Sequence, residues 1–180
     1  MAAVVVPFRS PGGKSRLGAS AEDLARAMLV DVLSAAEAVG PTAVARGDGG
    51  QGPAVAAELA RLGHAAVLVV NADLPCATPR DLLTLLGTAP AGGISLVQAP
   101  DGTTNALALS SPRQFAALYG AGSAERFHEH ARRLGVACTS AAIPNLVEDV
   151  DTIDDLLRLE GRLGPCTTAA LSTLLAAASA

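Results

Sequence analysis

The stretch AAVLVV, residues 65–70, runs directly into NADLP. Six apolar residues are too few for a stable helix, and with valine at every second or third place they read as a strand buried on both faces. Such a strand must be paired at both edges and covered on both sides, so the remaining chain has to supply further strands and two helical layers.

It does so in alternation. AAVVV (2–6) is a second short, β-branched run, followed by the loop PFRSPGGKSRLG. Ser20 with Asp23 resembles a capping box, and LARAMLVDVLSAAEAVG carries apolar residues at helical spacing until Gly40 stops it. TAVAR (42–46) predicts a strand and GDGGQG (47–52) a second glycine-rich loop, with Pro53 as first residue of a helix reaching Gly63. After residue 70, Thr78 and Pro79 suit the N-cap and first position of another helix. GISLVQ (93–98) and NALALS (from 105) predict strands around an APDGTT turn, followed by a helix near Pro112 to Leu118. YGAGS then leads into a helix over SAERFHEHARRLG, VACTSAAI (136–143) predicts a last strand, and DVDT precedes a helix over IDDLLRLEGRLG. The order implies an α/β fold: a mostly parallel central sheet with helices on both faces. One domain over residues 1–180 is expected, with 162–180 as a C-terminal helical extension that covers the core or a second copy of the chain.

The formal charge of −4 and pI near 5.3 leave no basic stripe to displace counterions, so neither nucleic acid nor an anionic membrane is an expected partner. Cys76, Cys138 and Cys166 are odd in number and lack metal-ligand spacing, which points to a reduced, cytoplasmic protein. No secretory leader is expected from MAAVVVPFRS, because no basic segment precedes a long apolar one.

Five stretches carry chemistry. GGKSR contains the only lysine, Lys14. It fails as a Walker loop, since Phe8 stands where that motif needs its first glycine. It still offers close-approaching backbone at Gly12 and Gly13 with the charges of Lys14 and Arg16, and it reads equally as a solvated surface loop. Asp73 follows the strongest strand, where a carboxylate can hold a divalent cation or merely cap a turn. Asp149 and Asp151, two apart, share a side if extended, although Asp151 or Thr152 is also an ordinary N-cap. Were Asp73 and Asp151 ~4 Å apart, their repulsion would be about 1 kcal/mol in water and ~4 kcal/mol at an effective dielectric of 20, which a bound cation, Mg2+ first, would relieve. YGAGS sets glycines before a serine N-cap, leaving helix amides for an anion. TTN (103–105) offers hydroxyls and an amide. His128 and His130 fall on different helix faces, so they do not form a shared metal site. Cys76 reads as a small packed residue.

In order, KSRL, ADLP, TNAL, GxGS and DVDT resemble the guanylyltransferase family that makes the phosphodiester precursor of the deazaflavin coenzyme F-420, acting on 2-phospho-L-lactate or phosphoenolpyruvate. These enzymes are relatives of the molybdenum-cofactor nucleotidyltransferases. The resemblance runs from Val4 to about Leu157 and implies a Rossmann-like nucleotidyltransferase domain that moves GMP from GTP to a phosphorylated three-carbon acid and releases pyrophosphate. It implies that Arg9, Gly12, Gly13, Lys14, Ser15 and Arg16 meet the GTP phosphates, with Lys14, Arg16 and Asp73 catalytic. The guanosine falls around Gly50, Gly52 and Ala54. Asp73, Asp149 and Asp151 match the magnesium acids, and Thr104, Asn105, Gly120 and Ser123 the acceptor site. Three departures accompany it: Arg9 stands where the family often has lysine, only TAVAR lies where it usually carries another strand and helix, and GQGPAVA replaces a GLN-type sequence. The last two keep open a molybdopterin guanylyl- or cytidylyltransferase and a catalytically inactive scaffold.

Overall fold

A computed structural model of the chain describes residues 2–8, 21–47, 49–62 and 66–178. The triphosphate loop expected at Arg9, Gly12, Gly13, Lys14, Ser15 and Arg16 lies outside them, as do Ser20, Gly63 and His64.

Three strands run parallel at one side of the sheet: β1 (Ala3–Pro7), β2 (Thr42–Ala45) and β3 (Val67–Val70). β4 (Ile94–Gln98) and β5 (Thr104–Leu109) form the hairpin read from APDGTT, with β5 antiparallel to both β3 and β4, while β6 (Cys138–Ser140) runs parallel to β4. The order β2-β1-β3-β5-β4-β6 therefore has one reversed strand among six. That reversal places Thr104, at the start of β5, at the same edge of the sheet as the carboxyl ends of β1, β2 and β3.

The strands are apolar throughout because both faces are covered. On one face Val4, Val6, Leu68, Val70, Ala106 and Ala108 pack against α1 (Ala21–Glu37), α3 (Pro79–Thr88) and the short α5 (Pro144–Val147). On the other, Val5, Val67, Val69, Leu96, Leu107 and Leu109 pack against α2 (Gln51–Arg61) and α4 (Ser123–Leu134). A third cluster lies behind α1, where Leu24 and Met28 meet Cys76, Val150, α6 (Ile153–Leu159) and α7 (Pro165–Ala178). Cys76 is thus a packing residue, and burial pushes its thiol above the usual range.

Local side-chain signals mark the starts of α3 and α6. Thr78 and Thr152 each accept from the amide three residues on, while the Asp81 and Asp155 carboxylates accept from the Thr78 and Thr152 amides, completing two capping boxes. Pro53 is the third residue of α2, not the first, and Gly50 is the cap. The helix expected over Pro112–Leu118 is a single 3-10 turn at Pro112–Gln114 followed by chain outside any helix or strand. Phe115, Leu118 and Tyr119, although spaced as one helix face, reach the core without a helix and pack as an aromatic and aliphatic cluster on Phe127. α5 follows the last strand without an expected counterpart. Among the described residues no helix is long and apolar enough to cross a membrane.

Candidate active site

In open α/β sheets the crevice beyond the carboxyl ends of the strands collects loops whose side chains are free of the core. Here the loop after β3 brings Asp73 to that edge, and the extended segment between α5 and α6 brings Asp149 and Asp151. The two segments are locked in register by the Val150 amide, which donates to the Asp73 carbonyl at 3.0 Å. Val150 is buried between its acidic neighbours, so alternation along an extended chain sends Asp149 and Asp151 to one side. Asp73, Asp149 and Asp151 each offer a carboxylate oxygen, and the three atoms lie within 4.8 Å of one another.

Burial, and then the charge of Asp73, push the Asp149 carboxyl above its ordinary value; Asp151 adds to this, and hydrogen bonding that includes Asn105 opposes it. Three converging oxygens, with no nitrogen or sulfur among them, form the donor set of a hard divalent cation. The residues therefore fit Mg2+ or Mn2+.

The second half of the site hangs on β5. Ser123 Oγ and Thr104 Oγ1 are 3.0 Å apart, both buried, with Ser123 donating. That leaves the Thr104 hydroxyl its own proton to give. Ser123 is the first residue of α4, and the cap is Gly122 in the left-handed region, so the hydroxyl expected to cap the helix is spent on β5 instead. The helix amides expected to be free for an anion are partly taken, Ser123 N–H donating to Gly120 and Ala124 N–H to Gly102. Gly120 has φ +110°, a backbone open to glycine and strained for other residues. The loop is stapled by Arg126, whose guanidinium donates to the carbonyls of Leu118 and Tyr119 and also to that of Ala121. No local pattern announces Arg126; only its reach back across the turn does.

Asn105 does not sit free in the acceptor site. Its side chain donates to the Leu146 and Val147 carbonyls at 3.1 and 2.9 Å, which holds the segment that carries Asp149. The second glycine loop divides in a similar way. Gly50, with φ 101°, faces the edge as the cap of α2, whereas Gly52 and Ala54 are buried: a Cβ on Gly52 would fall 2.6 Å from the Ala117 Cβ, and Ala54 belongs to the core. The side-chain positions of Gly52 and Ala54, both expected beside guanosine, are thus occupied by packing. Arg46, at the end of β2, stacks over Phe8 with 5.5 Å between guanidinium carbon and ring centroid, setting a cation at the same edge. His128 and His130 reach Ser140 and the Gln114 carbonyl respectively and share no ligand position.

No family model matches the chain. It is 34% identical over 188 positions to a phosphoenolpyruvate guanylyltransferase of Conexibacter woesei, covering 86% of this chain and 84% of that one. To a 2-phospho-L-lactate guanylyltransferase of Natrialba magadii it is 32% identical over 194 positions, covering 87% and 82%. Both alignments are longer than this chain, so each relative carries segments that it lacks. With a phosphoenolpyruvate guanylyltransferase of Sphaerobacter thermophilus the identity is 36% over 105 residues, and the matched stretch spans about half of that relative, 51%. Among solved structures, a protein described as a nucleotide-diphospho-sugar transferase from Desulfovibrio desulfuricans G20 superposes with TM-score 0.73 at 17% identity, covering 98% of this chain and 96% of that one. A Mycobacterium tuberculosis H37Rv protein crystallised with manganese superposes with TM-score 0.56 at 21% identity, covering 88% and 97%. These structural likenesses concern the fold.

Proposed function

The chain belongs to the family of phosphoenolpyruvate and 2-phospho-L-lactate guanylyltransferases, and from that premise we propose that it transfers GMP from GTP to a phosphorylated three-carbon acid, in coenzyme F-420 biosynthesis. The observation that carries this reading is the convergence of Asp73, Asp149 and Asp151 at the sheet edge where Thr104 and Ser123 also meet.

A phosphate oxygen of the acid attacks the α-phosphorus of GTP; the bond to the β-phosphate oxygen breaks and pyrophosphate leaves. The acceptor is already an anion at neutral pH, so no protein base has to take a proton. Asp73, Asp149 and Asp151 would hold Mg2+, which supplies charge neutralisation and orientation of the phosphates when bound. The manganese bound by the M. tuberculosis protein of the same fold is in keeping with a divalent ion here. Thr104 donates its hydroxyl to the acceptor, positioned by Ser123, and Gly120 permits the close loop beside it. Asn105 holds the acidic segment. Lys14 and Arg16, with Arg9, neutralise the triphosphate, Gly12, Gly13 and Ser15 approach it with backbone and hydroxyl, and the guanosine lies against the Gly50 loop. The three free cysteines are in keeping with a reducing, cytoplasmic setting.

The test is pyrophosphate release from purified protein and Mg2+, with each nucleoside triphosphate paired with phosphoenolpyruvate, 2-phospho-L-lactate and a phosphoglycerate. Release with GTP and one of these acids is expected. Release with no pair, together with no GTP binding, would sink the reading.

A further inference from the structure

Asn71 stands between the two halves of this site, two residues before Asp73. Its main-chain N–H donates to the Asn105 carbonyl at 3.0 Å, and its side-chain amide touches two further groups: Gln51 at 2.7 Å and the Thr104 carbonyl at 3.3 Å. The orientation of both amides follows from the last contact. A main-chain carbonyl only accepts, so the Asn71 atom facing Thr104 is Nδ2; its Oδ1 then faces Gln51, and the Gln51 atom meeting it is Nε2. One side chain thereby ties the first turn of α2, next to Gly50, to the first residue of β5, which carries the acceptor-site hydroxyl.

We infer that Asn71 is a positioning residue: it holds the nucleotide loop at Gln51 and the acceptor strand at Thr104 in one register across the acidic site. The inference rests on the guanylyltransferase reading for what the two loops bind. Two loops that must present two substrates for in-line attack gain from a shared, rigid tie, because small misplacements between reacting groups are costly in rate.

Asn71→Ala cuts both ties, and Gln51→Ala cuts one at a partly exposed helix start. For Asn71→Ala the KM values of GTP and of the phospho-acid should each rise roughly five- to tenfold, the scale of a lost neutral hydrogen bond. Gln51→Ala should raise the KM for GTP and, through Asn71, that of the acid to a smaller extent, and the double variant should be no worse than Asn71→Ala. A purely structural role would lower the thermal midpoint and the active fraction while leaving both KM values in place; that result, or additive effects in the double variant, overturns the inference. If Asn71→Ala does not fold, Gln51→Ala carries the same test. A second readout needs no turnover: in amide NMR spectra, Gln51→Ala should shift the Thr104 and Asn105 resonances, and unmoved resonances overturn the tie. If Gln51→Ala shifts these resonances while the parent protein neither releases pyrophosphate with any pair nor binds GTP, the tie stands and the guanylyltransferase reading alone sinks.

Discussion

Among the described residues, Asp149 is an acid whose environment opposes its charge. Its carboxyl is pushed up by burial and then by Asp73 and Asp151. A carboxyl whose folded value is raised adds stability only below its unfolded value, and that contribution is lost as pH rises through the raised value, so near pH 7 the ionised group costs stability. Asp149→Asn should therefore raise the thermal midpoint of the metal-free protein by about 2–4 °C, the shift that ~1 kcal/mol gives a chain of this size. It should also blunt the rise that Mg2+ produces in the parent, both measured by thermal melts with Mg2+ against EDTA. A lower metal-free midpoint, or an undiminished response to Mg2+, would contradict the charge argument. Asp73→Asn keeps shape and removes one ligand charge; with metal contributions of several kcal/mol, turnover should fall by ~100-fold or more at saturating Mg2+. Unchanged pyrophosphate release would mean the metal lies elsewhere. The three acids were legible in the sequence because each follows a strand or precedes a helix, positions that chain order alone reveals. Arg126, Asn71 and Gln51 were not, because their partners are carbonyls and amides brought near by the fold, and no spacing rule encodes a contact between residues 51 and 71.

At the scale of elements, capping shows what local pattern can and cannot settle. Thr78 and Thr152 were readable as caps because their partners, Asp81 and Asp155, are three residues away. Ser123 has the same local look, yet its hydroxyl goes to Thr104, nineteen residues back, and Gly122 caps in its place. The strand pattern was legible since burial on both faces leaves an uninterrupted apolar run; at Pro112–Leu118 the helical spacing of Phe115, Leu118 and Tyr119 misleads, because the same side chains reach Phe127 from non-helical chain. Close packing between elements is equally silent in sequence. Gly52 presses α2 onto Ala117, with 2.6 Å to its Cβ and 3.0 Å to its Cα from any added Cβ. Gly52→Ala forces α2 or the 115–119 segment to move, and a cost of roughly 1–3 kcal/mol is expected by chemical denaturation. A gain in stability, as helix propensity alone would give, would show that the contact yields freely.

At the scale of the whole molecule the question is whether the C-terminal helix is an appendage or part of the site's support. α7 has no charged residue, and its inner side joins Leu171 to Leu24 and Met28 of α1. Its start is capped from another element: Asp31 of α1, only 6% exposed, accepts from the Cys166 and Thr167 amides at 3.0 and 2.8 Å. Gly164 makes room for that carboxylate, since a Cβ there would lie 2.3 Å from the Asp31 Cγ, and the Gly164 amide donates to the Pro75 carbonyl, two residues beyond Asp73. On the opposite flank Arg158 and Arg162 pair with Glu148, which precedes Asp149. The C-terminal region thus grips both segments that bear the acids. Removing residues 165–180 would strip the two amides from the Asp31 carboxylate and bare an apolar face of α1, whose lost burial costs about 25 cal/mol per Å² exposed. The truncated chain should unfold at markedly lower denaturant and, where still folded, bind Mg2+ more weakly, whereas Asp31→Asn, which keeps an acceptor oxygen and the helix, should lose only part of that stability. If the truncated protein melts and binds Mg2+ like the parent, α7 is an appendage, and the Gly164, Arg158 and Arg162 contacts hold the acid-bearing segments without it.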